Sequence, residues 1–226
     1  MKGIVFDFNG TLLWDAKLHE KAWSTMAEKY IGRSLNEEEM IANMHGRTND
    51  KILEWLLGRK PRENEIIQMS DEKERIYRDM CTALAEKFTL APGATQLLDE
   101  LVKNNFPRAI ATSSAIDNLN FYLEKLHLNK WFEPSCIIYD QGLFPGKPAP
   151  DIYLHAFKAI GIEPSQCAVV EDAIPGIQSA LAAGAGEVFV INEKGDFGYL
   201  RGMEGNIKPI RAFNEIKFEE EVGNER

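Results

Sequence analysis

Five short apolar runs, at residues 3–8, 108–111, 136–139, 168–170 and 188–191, recur along the chain and predict buried strands. Between most of them lie stretches with helical spacing of apolar positions, at 94–104, 116–126, 150–160 and 176–183. Strands that alternate with amphipathic helices predict right-handed βαβ units, and so an α/β fold with a parallel sheet.

Residues 16–87 break this alternation, because the pattern there is helical only. His19, Ala22, Trp23, Met26 and Tyr30 fall on one helical stripe, and Ile52, Leu53, Trp55, Leu56 and Leu57 on another. Pro61-Arg62-Glu63-Asn64 interrupts, a charged helix follows to about Lys87, and Leu90-Ala91-Pro92-Gly93 reads as a turn back into the core. About 70 residues is long for a simple crossover between strands. The pattern therefore predicts a core of residues 1–15 and 88–226 with a helical domain, 16–87, inserted after the first strand. Packing of those helices directly on the main sheet is the alternative.

The composition is that of an ordinary globular protein: 226 residues, 44% hydrophobic and 27% charged. A net charge of −9 argues against nucleic acid or an anionic membrane as partner, yet leaves room for a locally positive phosphate site. No apolar stretch approaches the ~18 residues of a membrane span. Met1-Lys2 runs straight into the first strand, and Cys81, Cys136 and Cys167 are widely spaced in apolar surroundings. The expectation is a cytoplasmic chain with reduced, structural thiols.

Candidate chemistry collects at the ends of the predicted strands, where open α/β sheets place their sites. The first run delivers Asp7-Phe8-Asn9-Gly10-Thr11-Leu12. Asn-Gly between apolar runs is also the signature of a two-residue hairpin, a reading that this segment alone leaves open. The second run ends in Thr112-Ser113-Ser114, whose hydroxyls and N–H groups can cap the next helix or bind an anion. Lys147 lies on a loop stiffened by glycine and prolines, Pro145-Gly146-Lys147-Pro148-Ala149-Pro150-Asp151. The fourth run ends in Glu171-Asp172, adjacent carboxylates that repel unless a hard cation such as Mg²⁺ joins them. An exposed lysine and a surface acidic pair are the plain alternatives for these last two. Together the segments predict phosphoryl transfer. Asp7, the Asn9 carbonyl and Asp172 would hold Mg²⁺, with Glu171 nearby or acting through water. Lys147 and Thr112 would neutralise and orient the phosphoryl group while Asp7 attacks phosphorus.

These motifs resemble the haloacid dehalogenase-like hydrolase superfamily, in its phosphatase/β-phosphoglucomutase-like branch with a helical cap. The 7–12 stretch is similar to the family's motif one, Thr112 to motif two, Lys147 to motif three and Glu171-Asp172 to motif four. Gly-Lys-Pro-Ala-Pro-Asp at 146–151 and Glu-Asp-Ala-x-x-Gly at 171–176 are specific within that pattern. The resemblance implies a Rossmann-like core, dependence on Mg²⁺, and a cap that opens to admit substrate and closes to exclude water. It also places His19 and Trp23 on the first cap helix, and His45, Arg47 and Thr48 in a loop that reads the substrate; Ser113, from the strand-end turn, is a further substrate-binding candidate. A simple helix–helix turn with Thr48 as helix cap is the alternative for that loop. Trp14 departs from the small acidic residue common after motif one.

Asn9 is the larger departure. Phosphatases and mutases of the family carry an Asp there as general acid and base, and an amide cannot move a proton. Three explanations stay open: a slow phosphatase or one with labile leaving groups, a substitution that traps a bound state, or a module that binds phosphometabolites without turnover. The first reading is a monomeric Mg²⁺-dependent phosphoester hydrolase acting on a small phosphorylated metabolite. A phosphosugar mutase is second, because it needs the proton shuttle that Asn9 lacks.

Overall fold

The computed structural model describes residues 1–44 and 47–218. The chain forms two compact units, Met1–Trp14 with Thr89–Arg226, and Asp15–Phe88.

The larger unit is built on a six-stranded, wholly parallel sheet: β1 (Gly3–Phe6), β2 (Arg108–Thr112), β3 (Ile137–Tyr139), β4 (Cys167–Glu171), β5 (Glu187–Ile191) and β6 (Ile207–Ile210). Their order is β3-β2-β1-β4-β5-β6, so the chain winds outward in one direction through β2 and β3 and then in the other from β4. The reversal puts a crevice at the carboxyl ends of β1 and β4, the position where such sheets bind ligands. β1 is central and buried along its whole length, which is why its sequence is apolar without alternation.

Alternate residues of β1 serve the two faces of the sheet. Val5 packs in a cluster with Ala109, Val169, Val188, Tyr153 and Phe157. Phe6 meets Phe132 edge-on, with ring centroids 6.4 Å apart. Flanking helices in this unit are α5 (Ala94–Lys103), α6 (Ile116–Leu126), α7 (Asp151–Ile160) and α8 (Ile174–Ala182). The smaller unit holds α1 (Ala16–Ile31), α2 (Glu37–Asn43), α3 (Asn49–Leu57) and α4 (Glu63–Ala83) around Trp23, Met26, Leu53, Leu56 and Met69.

Some expectations need correction. β1 stops at Phe6 instead of Phe8, because the chain turns away at Asp7 while the Asp7 N–H still bonds the Val170 carbonyl at 2.9 Å. The hairpin reading of Asn9-Gly10 falls, since β1 is paired on both sides by parallel strands. β6 escaped the sequence reading because Pro209 interrupts a short, half-polar run; it is an edge strand, where a missing N–H is tolerated. α2 also escaped, although Asn36 and Glu39 form a reciprocal capping box that marks its start. α4 ends at Ala83, and a separate short turn covers Ala85–Lys87. Tyr30 lies at the margin of its stripe, with its hydroxyl donating to Glu72 at 2.8 Å. All three cysteines are free thiols, and burial pushes Cys81 and Cys167 up to about 12.

Leu98 on α5 is fully buried, whereas Leu143 is 79% exposed. Leu98→Ala is expected to cost about 2–5 kcal/mol through lost burial and the cavity it leaves. Leu143→Ala should change stability by no more than about 0.5 kcal/mol. Urea unfolding of the two variants checks both values.

Candidate active site

Asp7 follows the last residue of β1 and points its carboxylate into a buried polar group at the sheet's carboxyl edge. Lys147 Nζ donates to Asp7 Oδ1 at 2.6 Å, to Glu171 Oε1 at 2.7 Å and to the Ala111 carbonyl at 3.3 Å. Its ammonium also stands 4.9 Å from the centre of the Tyr153 ring. Lys147 is thus aimed from its loop at two carboxylates, and the exposed-lysine alternative is excluded.

Glu171 is saturated. Beyond Lys147, its Oε1 accepts from the Tyr153 hydroxyl at 3.0 Å, while Oε2 accepts the N–H groups of Asp172 and Ala173 at 2.8 and 2.9 Å. These bonds shape the turn after β4 and present the Asp172 side chain, whose Oδ1 accepts from Thr11 at 3.0 Å. Two glycines make room for this packing. At Gly10, which has φ +84°, a Cβ would lie 2.2 Å from Asp172 Oδ2. At Gly176 it would lie 1.6 Å from Glu171 Oε1. The glycine that closes the 171–176 motif is therefore a steric necessity.

Burial governs the electrostatics. It pushes Asp7 up to about 7 against the pull of Lys147, with Glu171 adding to the rise. Asp172 is raised well above the usual carboxylate range by burial and by its neighbours Glu171 and Asp7. Burial opposes the charge on Lys147, but Asp7 and Glu171 outweigh it and hold the ammonium protonated. Two carboxylates thus pair with one ammonium, and a third, Asp172, stands close by. Oxygens of Asp7, Glu171 and Asp172 all lie within 4.8 Å of one another, a donor set of the kind that suits a hard divalent cation.

Thr112 ends β2 beside this group and is buried, and its Oγ1 accepts the Ser114 N–H at 3.1 Å. The expected hydroxyl cap on the next helix is absent: α6 begins after Ala115 with no side-chain cap bond. Ser113 is exposed at the same strand end. Asn9 is held by hydroxyls, with Ser114 Oγ donating to its Oδ1 at 2.8 Å and its Nδ2 donating to the Tyr122 hydroxyl at 2.9 Å.

In the helical unit, His19 belongs to a second polar cluster. Its Nδ1 lies 2.7 Å from Lys73 Nζ, its Nε2 lies 3.2 Å from Asp15 Oδ2, and its ring stacks on Tyr77 at 4.0 Å. Lys73 is buried below Trp23 and Tyr77, and desolvation depresses its pKa. Arg47 is exposed and donates to the Ala42 carbonyl at 2.9 Å. Thr48 occupies the N-cap position of α3, yet its hydroxyl donates to Asp50 and does not cap the helix backbone. His45 lies outside the described residues.

The geometry brings Asp7, Asn9, Thr112, Lys147, Glu171 and Asp172 to one sheet edge. Comparison with known proteins bears on what that edge belongs to. A model of haloacid dehalogenase-like hydrolases matches residues 1–184. The chain belongs to that family. Among haloacid dehalogenase-like relatives, hexitol phosphatase A of Escherichia coli (strain K12) is 32% identical over 195 residues, 86% of this chain and 85% of that protein. β-Phosphoglucomutase of Bacillus subtilis (strain 168) is 30% identical over 192 residues, 81% and 80% of the two chains. A solved structure of a family IA, variant 3 HAD hydrolase from Entamoeba histolytica HM-1:IMSS superposes with a TM-score of 0.90 at 40% identity, covering 97% of each chain.

Sequence reasoning missed Thr11, Ser114, Tyr122 and Tyr153. Thr11 and Ser114 stand within quoted motifs, so their place in the motif was the available signal. Tyr122 and Tyr153 look like ordinary helix core residues, and nothing in their spacing sets them apart.

Gly176→Ala is expected to destabilise the fold by about 1–3 kcal/mol, because the new methyl must displace the Glu171 carboxylate. Gly146→Ala, whose Cβ would meet nothing within 4 Å, should be neutral. Thermal melts of the two variants test this, and equal melting temperatures would contradict the Glu171 placement.

Proposed function

We propose that this chain is a phosphatase acting on a small phosphorylated sugar or sugar alcohol, with Asp7 as nucleophile. The observation that carries the reading is the buried Asp7 carboxylate, held at 2.6 Å by Lys147 at the switch point of a parallel sheet. Relatives named as hexitol phosphatase A and fructose-1-phosphate phosphatase YqaB, the latter 29% identical over 191 residues, support the substrate class.

In this reading an Asp7 oxygen attacks phosphorus, the bond from phosphorus to the leaving oxygen breaks, and an aspartyl-phosphate remains. Water then attacks that phosphorus, releasing inorganic phosphate and restoring the Asp7 carboxylate. Lys147 and Thr112 orient the phosphoryl oxygens and offset their charge. Asp7, Asp172 and the Asn9 carbonyl would hold Mg²⁺, with Glu171 supporting them from behind through Lys147 and the turn amides. When bound, the ion neutralises charge on the transferring group. Ser113, exposed at the same strand end as Thr112, would meet the part of the substrate next to the phosphoryl group.

Asn9 limits the chemistry. Its amide has no proton to give a departing alkoxide and cannot take one from water, so turnover of alkyl phosphates is expected to be slow. A mutase fits less well, since it needs two such proton transfers. The module that binds without turnover is retained as the second reading, and Asn9 is the observation that favours it.

Phosphate release is to be measured with p-nitrophenyl phosphate and a panel of sugar phosphates. Asp7→Ala should abolish it. Asn9→Asp should raise turnover of sugar phosphates by about 10²–10⁴-fold. The gain on p-nitrophenyl phosphate should be smaller, because its leaving group departs as a stable anion. Activity that survives Asp7→Ala would overturn the nucleophile assignment. Phosphate binding without turnover, in the parent and in Asn9→Asp, would favour the binding module.

A further inference from the structure

We infer that Tyr199 is a positioning residue for Asp172, setting cation affinity from a loop that lies outside the family match at residues 1–184. This inference rests on the reading that Asp7 and Asp172 hold Mg²⁺.

The Tyr199 hydroxyl donates to the backbone carbonyl of Asp172 at 2.7 Å. The same peptide segment is held at its other end, where the Asp172 N–H donates to Glu171 Oε2 at 2.8 Å. Asp172 is thus clamped on both sides of its Cα, while Thr11 fixes its carboxylate. Without the phenol, one side of that clamp opens, and the carboxylate loses part of its fixed direction.

The loop that carries Tyr199 is itself braced. Asn192, next after β5, accepts the Lys194 N–H at 2.9 Å and the Asp196 N–H at 3.4 Å through Oδ1. Asp196 Oδ1 accepts the Gly198 N–H at 2.9 Å, and Phe197, Tyr199 and Leu200 pack against the sheet cluster. A hydroxyl delivered by so constrained a loop holds its acceptor in place.

Partners one step removed from a metal typically change affinity 10–100-fold when lost, and a bond to the ligand's backbone belongs at the low end. Isothermal titration of Mg²⁺ into the full metal-free chain is the test, with Tyr199→Phe, Asp172→Ala and the parent compared. Tyr199→Phe should weaken Mg²⁺ binding about 10-fold, while its melting temperature in EDTA stays near the parent's because the ring remains packed. Asp172→Ala should lose binding. Unchanged affinity in Tyr199→Phe, with binding lost in Asp172→Ala, overturns the positioning role and leaves the metal reading intact. A parent that does not bind Mg²⁺, or an Asp172→Ala that binds as the parent does, overturns the metal reading and this inference with it.

Discussion

The site depends on one ammonium placed between two buried carboxylates. Removing an ion from water costs several kcal/mol even after the protein relaxes, so a buried lysine persists only where its charge is met. Lys147 meets Asp7 and Glu171 at 2.6 and 2.7 Å. The match is incomplete, because Asp172 adds a third carboxylate and burial raises both aspartates. Keeping all three carboxylates charged is therefore disfavoured: on their own the aspartates tend to hold protons, and a hard divalent cation would let them stay ionised, which is the physical reason the donor set suits a metal.

Glu171 shows how that charge is organised. A carboxylate that accepts from Lys147, Tyr153 and two backbone N–H groups has its lone pairs committed, and it works as a bracket between the lysine loop, α7 and the turn after β4. Asp172, whose side chain accepts from Thr11 alone among the described residues, is the member of the pair better suited to a cation. Adjacent carboxylates in sequence thus divide the work: one orders the turn, and the other is presented by it. Gly176 belongs to the same device, since any side chain there would occupy the bracket's position.

The sheet and the polar edge were legible because each left a strong local mark. Five of the six strands are built on short apolar runs, Asp7, Thr112 and Glu171-Asp172 stand at the ends of such runs, and Lys147 is marked by the glycine and prolines of its loop. β6 left no comparable mark, as edge strands are short and carry residues, such as Pro209, that oppose pairing. The supporting tyrosines were illegible for a different reason. Tyr122, Tyr153 and Tyr199 differ from packing residues only in one oxygen, and its partner is set by tertiary geometry at separations of 113, 18 and 27 residues. Likewise, Lys73 reads as one charge in a charged helix until the fold buries it against His19.

Asn9 joins these strands of argument. Its two described side-chain partners are hydroxyls, and a hydroxyl can donate or accept as the neighbour requires. Toward the Ser114 hydroxyl a carboxylate could accept as the amide oxygen does, so the main difference between asparagine and aspartate here is chemical. An aspartate would add a fourth carboxylate to a group already short of positive charge, and it would bring a proton carrier. Asparagine keeps the same shape and the bond from Ser114, spares the site that charge, and gives up the proton. In the proposed phosphatase, transfer to an alkoxide-forming leaving group would therefore depend on which of the two residues is present.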